Sequence, residues 1–209
     1  MLSRIKMAAV AASSSVAVLA GVAPSAHAGL LSLTTGDCGQ TASQPFAQWG
    51  DTASYTLVPG GTFEPGSARW ALSGGAKVVP GNETLDASGQ GAYSLSLPAG
   101  SSATSPGACT GLDHPSARLF VRNTGSPSSR LNVYATYRLL LGLPYTISLG
   151  PLSGSASWQP SSLLQMGLLN NVVGSLTLSD STISFTFVPA DNTGNWSIDD
   201  VYLDPRCRM

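Results

Sequence analysis

Between residues 131 and 140 the chain reads LNVYATYRLL, and its apolar and polar positions alternate. Leu131, Val133, Ala135, Tyr137 and Leu139 fall on one side of an extended backbone, and Asn132, Tyr134, Thr136 and Arg138 on the other. A period of two marks a strand with one buried face. Shorter runs of the same kind occur at 55–58, 69–72, 92–97, 117–122, 145–149, 176–178, 182–188 and 196–203, separated by Gly, Pro, Asn and Ser. No segment reads as a long amphipathic helix, and no internal repeat is evident. Short strands with regular turn signals predict an all-β fold, an antiparallel sandwich or barrel. Residues 161–173, SSLLQMGLLNNVV, fit a short helix or a loop across one end of it.

In ARLFVRN, residues 117–123, Arg118, Phe120 and Arg122 share one face, while Leu119 and Val121 share the other. NTGSPSSR follows as a turn, so this run and 131–140 are expected to form a hairpin with a long connection. Arg118, Arg122, Tyr134 and Arg138 would then lie side by side on one sheet, a candidate ligand-binding patch.

The first 28 residues change the picture of where this fold works. Arg4 and Lys6 precede an apolar, small-residue stretch, and Ala26-His27-Ala28 fits the small-x-small pattern of signal cleavage. Residues 1–28 are therefore expected to be a secretory signal peptide. A retained membrane anchor is the rival, disfavoured by the serines and Pro24. The absence of a cysteine just after the cut argues against a lipid anchor. The expected mature chain, 29–209, is one domain with its core at about 38–205, secreted and not inserted in a membrane after cleavage. The leader holds two of the ten basic residues and none of the eleven acidic ones, so the mature net charge is −3. With Lys77 as its one lysine, the mature chain offers no basic patch for nucleic acid or an anionic membrane. Charged residues are 10% of the chain, which leaves Ser, Thr, Asn, Gln and Gly to form the surface and suits a neutral polar partner.

Cys38, Cys109 and Cys207 would meet an oxidising compartment, where a disulfide is the default. Cys38–Cys109 is preferred because both lie in loop-like polar surroundings; Cys38–Cys207 is the alternative.

Neither of two familiar catalytic designs fits. Glu64 and Glu83 are the chain's glutamates, and the neighbouring acids Asp199 and Asp200 point to opposite faces of a strand unless a bulge intervenes, so a glycosidase pair is disfavoured. No G-x-S-x-G elbow occurs, and His114 is the single mature histidine, too few for the usual zinc site. No catalytic residue is assigned.

Residues 58–79, VPGGTFEPGSARWALSGGAKVV, and the closing WSIDDVYL, 196–203, together resemble the jelly-roll carbohydrate-binding modules of the galactose-binding-like fold. Such modules carry an N-G-x-F-E-x-G…W stretch and an IDDVxL strand, with an F-x-x-R…G…L-x-V pair between them, to which ARLFVRNTG…LNVYATY is similar here, with its Arg122 one residue nearer to Phe120. The resemblance implies a jelly-roll sandwich that binds carbohydrate or a cell-envelope polymer without catalysis. It also implies a structural calcium ion, held by Glu64 and by Asp199 or Asp200, with the Thr62 carbonyl as a further ligand. Calcium takes six to eight oxygens, which carboxylates and carbonyls at strand ends supply. The chain departs from the pattern at Gly60-Gly61, where a ligating side chain is often found. The chain also resembles secreted proteins of high-GC Gram-positive bacteria, which implies no mechanism.

Flat aromatic rings match the C–H faces of sugars. Trp70 and Trp196 are expected in the core, which leaves Trp158 and Tyr134, the latter beside Arg138, as candidate ligand contacts. Two rival functions stand beside sugar binding: a structural or adhesive protein that makes protein contacts through a sheet face, and a glycan-active hydrolase with an unrecognised site.

Overall fold

The computed structural model describes residues 41–85, 87, 91–109, 116–138, 143–167 and 182–204. All described residues belong to one compact unit, 33–209. The leader, His114, Cys38, Cys207 and the runs at 168–173 and 176–178 lie outside the described residues.

Apart from a short 3-10 turn at Ala47–Trp49, the described chain is strand and loop. The strands are β1 (Ala42–Ser43), β2 (Tyr55–Leu57), β3 (Ala71–Ser73), β4 (Lys77–Pro80), β5 (Tyr93–Pro98), β6 (Ser102–Thr104), β7 (Ala108–Cys109) and β8 (Ser116–Asn123). They continue with β9 (Leu131–Arg138), β10 (Pro144–Leu152), β11 (Gln159–Pro160), β12 (Leu164–Gln165), β13 (Thr182–Pro189) and β14 (Asn195–Leu203). They form two antiparallel sheets, a β-sandwich. The first runs β1-β2-β14-β5-β4, with β8 on the other side of β14 and β11 and β12 beyond it; the second runs β10-β9-β13-β6-β3, with β7 on β13. Among the described residues no helix is long and apolar enough to cross a membrane.

The core forms because the alternating runs turn one face inward in each sheet. Leu119, Val121, Leu95, Leu97, Trp196 and Ile198 enter from the first sheet, and Leu131, Val133, Ala135, Tyr137, Ile183, Phe185 and Phe187 from the second. Burying each large side chain contributes roughly 1.5–3 kcal/mol, so this layer is the main stabilising term.

One expectation about strand pairing is corrected. β8 and β9 do not form a hairpin: β8 pairs with β11, β12 and β14, and β9 with β10 and β13. The connection at 124–130 crosses from one sheet to the other. Each strand therefore buries its own apolar face from opposite sides of one core, which a flat hairpin would not allow. Of the helix or loop expected at 161–173, the described residues 161–167 are loop around the short strand β12 at Leu164–Gln165.

The start of the chain's long β2–β3 loop is tied to β14. Val58 N–H donates to the Val201 carbonyl at 2.8 Å, and Val201 N–H to the Gly61 carbonyl at 3.2 Å. A Cβ on Gly61 would stand 2.9 Å from both the Val201 and the Val58 carbonyl oxygens. Both obstacles are backbone, so Gly61→Ala is expected to cost about 1–3 kcal/mol, the usual range for overpacking. A urea-denaturation midpoint within error of the parent's would contradict this contact.

Candidate functional site

The two outer faces of the sandwich differ, and the difference sets which of them can bind. On the first sheet, Arg118, Phe120 and Arg122 of β8 point away from the main core, as their alternation predicts. They do not meet solvent freely. A second apolar cluster of Phe46, Tyr55, Phe120, Trp158 and Tyr202 covers this face, with Trp49 and Leu85 packed on it. The Phe46 ring lies 5.2 Å from Phe120 and 5.0 Å from Tyr55. The 44–53 segment that brings Phe46 and Trp49 is held by charge as well as by rings. Arg118 Nη1 donates to Asp51 Oδ2 at 2.7 Å, Tyr55 donates to the same oxygen at 2.6 Å, and the guanidinium sits 4.5 Å over the Phe46 ring. Arg118 also donates from Nε and Nη2 to the Ser161 carbonyl.

These contacts correct the expected ligand patch. Trp158 is 9% exposed, and the Arg122 guanidinium lies 4.9 Å over its ring, so it presents no open stacking surface. Arg118 is committed to Asp51 and Ser161. Tyr134 and Arg138 stand on the other sheet, so the four residues Arg118, Arg122, Tyr134 and Arg138 do not share a face.

On the second sheet the outer face carries no such cover among the described residues. Its positions are Asn132, Tyr134, Thr136 and Arg138 on β9, Thr182, Ser184, Thr186 and Val188 on β13, and Ser102 and Thr104 on β6, all half-buried or exposed. Register places Ser148, Tyr134, Thr186, Thr104 and Ala71 in one row across five strands. At about 4.8 Å between strands the row spans roughly 19 Å. Hydroxyls pair across it: Thr104 with Thr186 at 2.9 Å, Thr136 with Thr146 at 2.8 Å and Ser73 with Ser102 at 2.8 Å. The strands of this sheet hold one charged residue, Arg138, and no acid. The face is thus a hydroxyl-rich plane with one tyrosine near its middle and one cation at its end.

The twin aspartates take a different place. Opposite β8, β14 shifts register between Asp199 and Tyr202, so three steps of β14 match two of β8. The extra residue is accommodated by Asp200 in the left-handed region, φ 46°. Aspartate tolerates that conformation better than a branched residue would. Ile198 and Val201 both reach the main core, which leaves Asp199 and Asp200 together between them, each 2% exposed. Asp199 accepts the Glu83 N–H at 2.9 Å through Oδ2 and the Asp200 N–H at 2.9 Å through Oδ1. Glu83, also buried, binds the Leu85 and Ala87 amides with its own carboxylate. Burial, and next the Asp200 charge, push the Asp199 carboxyl up to about 8. Burial, with these acids close by, pushes the Tyr202 hydroxyl upward too.

Glu64 is not part of that acid group's hydrogen bonding. Its Oε1 accepts the Ala92 and Tyr93 amides at 2.6 and 3.1 Å, which pins the β2–β3 loop to β5. Thr62 is half-buried in the same loop. Among the described residues no three His, Cys, Asp or Glu side chains converge as a metal-binding group. Cys109 is disulfide-bonded, and both Cys38 and Cys207 lie outside the described residues.

Sequence reasoning missed Glu83 and the covering segment at 44–53. A signal for the first was present: an acid directly after Asn82 and before the turn residues Thr84-Leu85 is placed to bind its own loop's amides.

No family model and no curated protein matches the chain. Several solved structures do. The tandem CBM22-1–CBM22-2 domain of Xyn10C from Paenibacillus barcinonensis is 14% identical, with a TM-score of 0.50 over 75% of this chain and 46% of that one. The chain thus spans about half of that tandem. The C-terminal family 22 carbohydrate-binding module of Xyn10B from Clostridium thermocellum is 18% identical over 71% of this chain and 93% of its own, with a TM-score of 0.47. TmCBM61, solved with β-1,4-galactotriose, is 15% identical over 68% and 90%, with a TM-score of 0.40. At these identities what is shared is the jelly-roll sandwich.

Proposed function

We propose that this is a secreted, non-catalytic protein that binds an extended polysaccharide across the outer face of the second sheet. The observation that carries the reading is the row Ser148–Tyr134–Thr186–Thr104–Ala71, an acid-free plane of hydroxyls around one accessible tyrosine. A polysaccharide offers hydroxyls for such a surface and C–H faces for the tyrosine ring. A flat plane suits a chain laid across the strands better than a small molecule, which needs a concavity. The similar tandem from Xyn10C is built of modules from a carbohydrate-binding family, which accords with the reading. The acids that a hydrolase would need, Asp199, Asp200 and Glu83, are buried against the other sheet.

Affinity electrophoresis of the full chain in gels containing soluble xylan, galactan or mixed-linkage glucan tests this. At least one polymer is expected to retard the protein, and Tyr134→Ala to weaken that retardation about fivefold, since one aromatic contact is worth on the order of 1 kcal/mol. Retardation by none of a broad polysaccharide panel would reject the reading, and release of reducing sugar would overturn its non-catalytic part.

A structural calcium ion is a separate part of the proposal. Asp199 and Asp200, both buried, bring hard oxygen donors together in a poorly hydrated place, the setting in which a divalent cation offsets carboxylate crowding, and Glu64 and the Thr62 carbonyl are the further ligands proposed. Glu64 accepts its two amides through Oε1, which leaves Oε2 for the ion. Calcium is expected to raise the melting temperature of the wild-type chain at pH 8 by mass action, and a chelator to lower it. Identical melting curves in calcium and in chelator would remove the ion from the account. The disulfide is proposed as Cys38–Cys109, to be read from non-reducing peptide mapping.

A further inference from the structure

A cavity of about 510 Å³ opens at the rim of the sandwich where β3 and β4, each the last strand of its sheet, face each other. Leu72 pairs with Ala103 and Val78 with Leu95, and both partners are core residues, so Leu72 and Val78 point inward. They nevertheless remain 38% and 43% exposed. The loop at residues 64–69 lines this rim without covering Leu72 and Val78. Glu64 anchors the loop to the Ala92 and Tyr93 amides, and Ser67 closes a turn on the Glu64 carbonyl. The cavity thus reaches the core directly, with Phe63 and Trp70 at its floor, their rings 4.9 Å apart. The Trp70 Nε1–H has no acceptor among the described residues. Arg69 is exposed at the mouth and makes no ion pair among the described residues, and the Glu64 carboxylate on the same lining accepts the Ala92 and Tyr93 amides through Oε1.

We infer that this rim cavity is a binding site for a small amphipathic anion, an apolar or aromatic body seated between Leu72, Val78 and Trp70 with its carboxylate on Arg69. The site is distinct from the hydroxyl-rich face and does not depend on it. Its chemistry differs from that face: Phe63, Trp70, Leu72 and Val78 supply apolar walls in place of hydroxyls, with Arg69 at the mouth. The volume lies within the range of small-molecule sites and accommodates a phenyl ring with a short chain. A charge-assisted bond from a guanidinium to a carboxylate would orient the ligand.

The probes are 4-phenylbutyrate and its uncharged analogue 4-phenylbutanol, titrated into the full chain and followed by tryptophan fluorescence and by NMR. Saturable binding of the acid at millimolar concentration or below is expected, about tenfold tighter than that of the alcohol. Arg69→Gln should erase this preference and leave the alcohol unchanged. Val78→Trp, which fills the cavity, should abolish binding of both, and Leu72→Phe should weaken both if Val78→Trp fails to fold. No saturable binding, or an acid preference that survives Arg69→Gln, or binding unaffected by the filling variants, would overturn the inference.

Discussion

Replacing Asp199 by Asn is expected to raise the melting temperature at pH 8 by up to roughly 10–20 °C in calcium-free buffer, and to change it little at pH 4. The folded chain holds the Asp199 proton up to about pH 8 because burial and then the Asp200 charge oppose ionisation. The unfolded chain releases it near the ordinary aspartate value of 3.8. Below that value both states are protonated, and the stability is fully present. As pH rises from 3.8 toward 8, only the unfolded state is ionised, so stability is lost continuously at about 1.4 kcal/mol per pH unit. Above about 8 both are ionised and the loss is complete, on the order of 5 kcal/mol at most. Asparagine keeps an oxygen for the Glu83 N–H but has no proton to lose. A gain of 2–4 °C per kcal/mol is typical for a chain of this size. The difference between the two melting curves, plotted against pH, isolates this group from other titrations. A constant difference from pH 4 to 9 would contradict the buried-acid account. In calcium the proposed ion would reverse part of the wild-type loss and do nothing comparable for the variant.

Phe120→Ala should cost about 3–5 kcal/mol, as truncation of a fully buried phenylalanine does. The residue is fully buried although it stands on the outer side of its sheet. Its ring contacts Phe46 at 5.2 Å and Trp49 at 5.4 Å between centroids, so the truncation also loosens the 44–53 segment. That segment positions Asp51 for Arg118. Urea denaturation gives the loss in stability, and hydrogen exchange should show the 44–53 amides opening first. A loss below about 1 kcal/mol would mean that the face is open to solvent, as outward residues of a bare sheet would be.

The sequence made the strands legible where one face is buried and the other is wet. LNVYATYR and TISFTFVP alternate cleanly, and both are central strands of the second sheet. It did not reveal β4, whose residues are half-buried or exposed at an edge, so that burial imposed no alternation on KVVP. Nor did it reveal pairing. Alternation tells which residues share a face of one strand, but not which strand lies next to it, so 117–122 and 131–140 read as a hairpin although each joins a different sheet. The same gap misplaced Trp158 and Arg118. Both carry the polar-face or aromatic character expected of a ligand contact, and what occupies them lies far off in the chain: Asp51 on Arg118, and Arg122 over the Trp158 ring. The bulge at Asp199–Asp200 was legible in principle: two acids separate Ile198 from Val201, a spacing of three where a regular strand requires two. The hydroxyl-rich face could be read from β9 alone in part, through Tyr134 and Arg138, but the row across five strands exists only in the register.

The central claim, that the second sheet carries the binding face, is tested most directly by NMR titration of the full chain with the polysaccharide that retards it best. The account predicts amide and side-chain shifts at Asn132, Tyr134, Thr136, Ser184 and Thr186, with Arg118, Arg122 and Trp158 unmoved. Shifts concentrated at Arg122 and Trp158, with β9 and β13 silent, would contradict it.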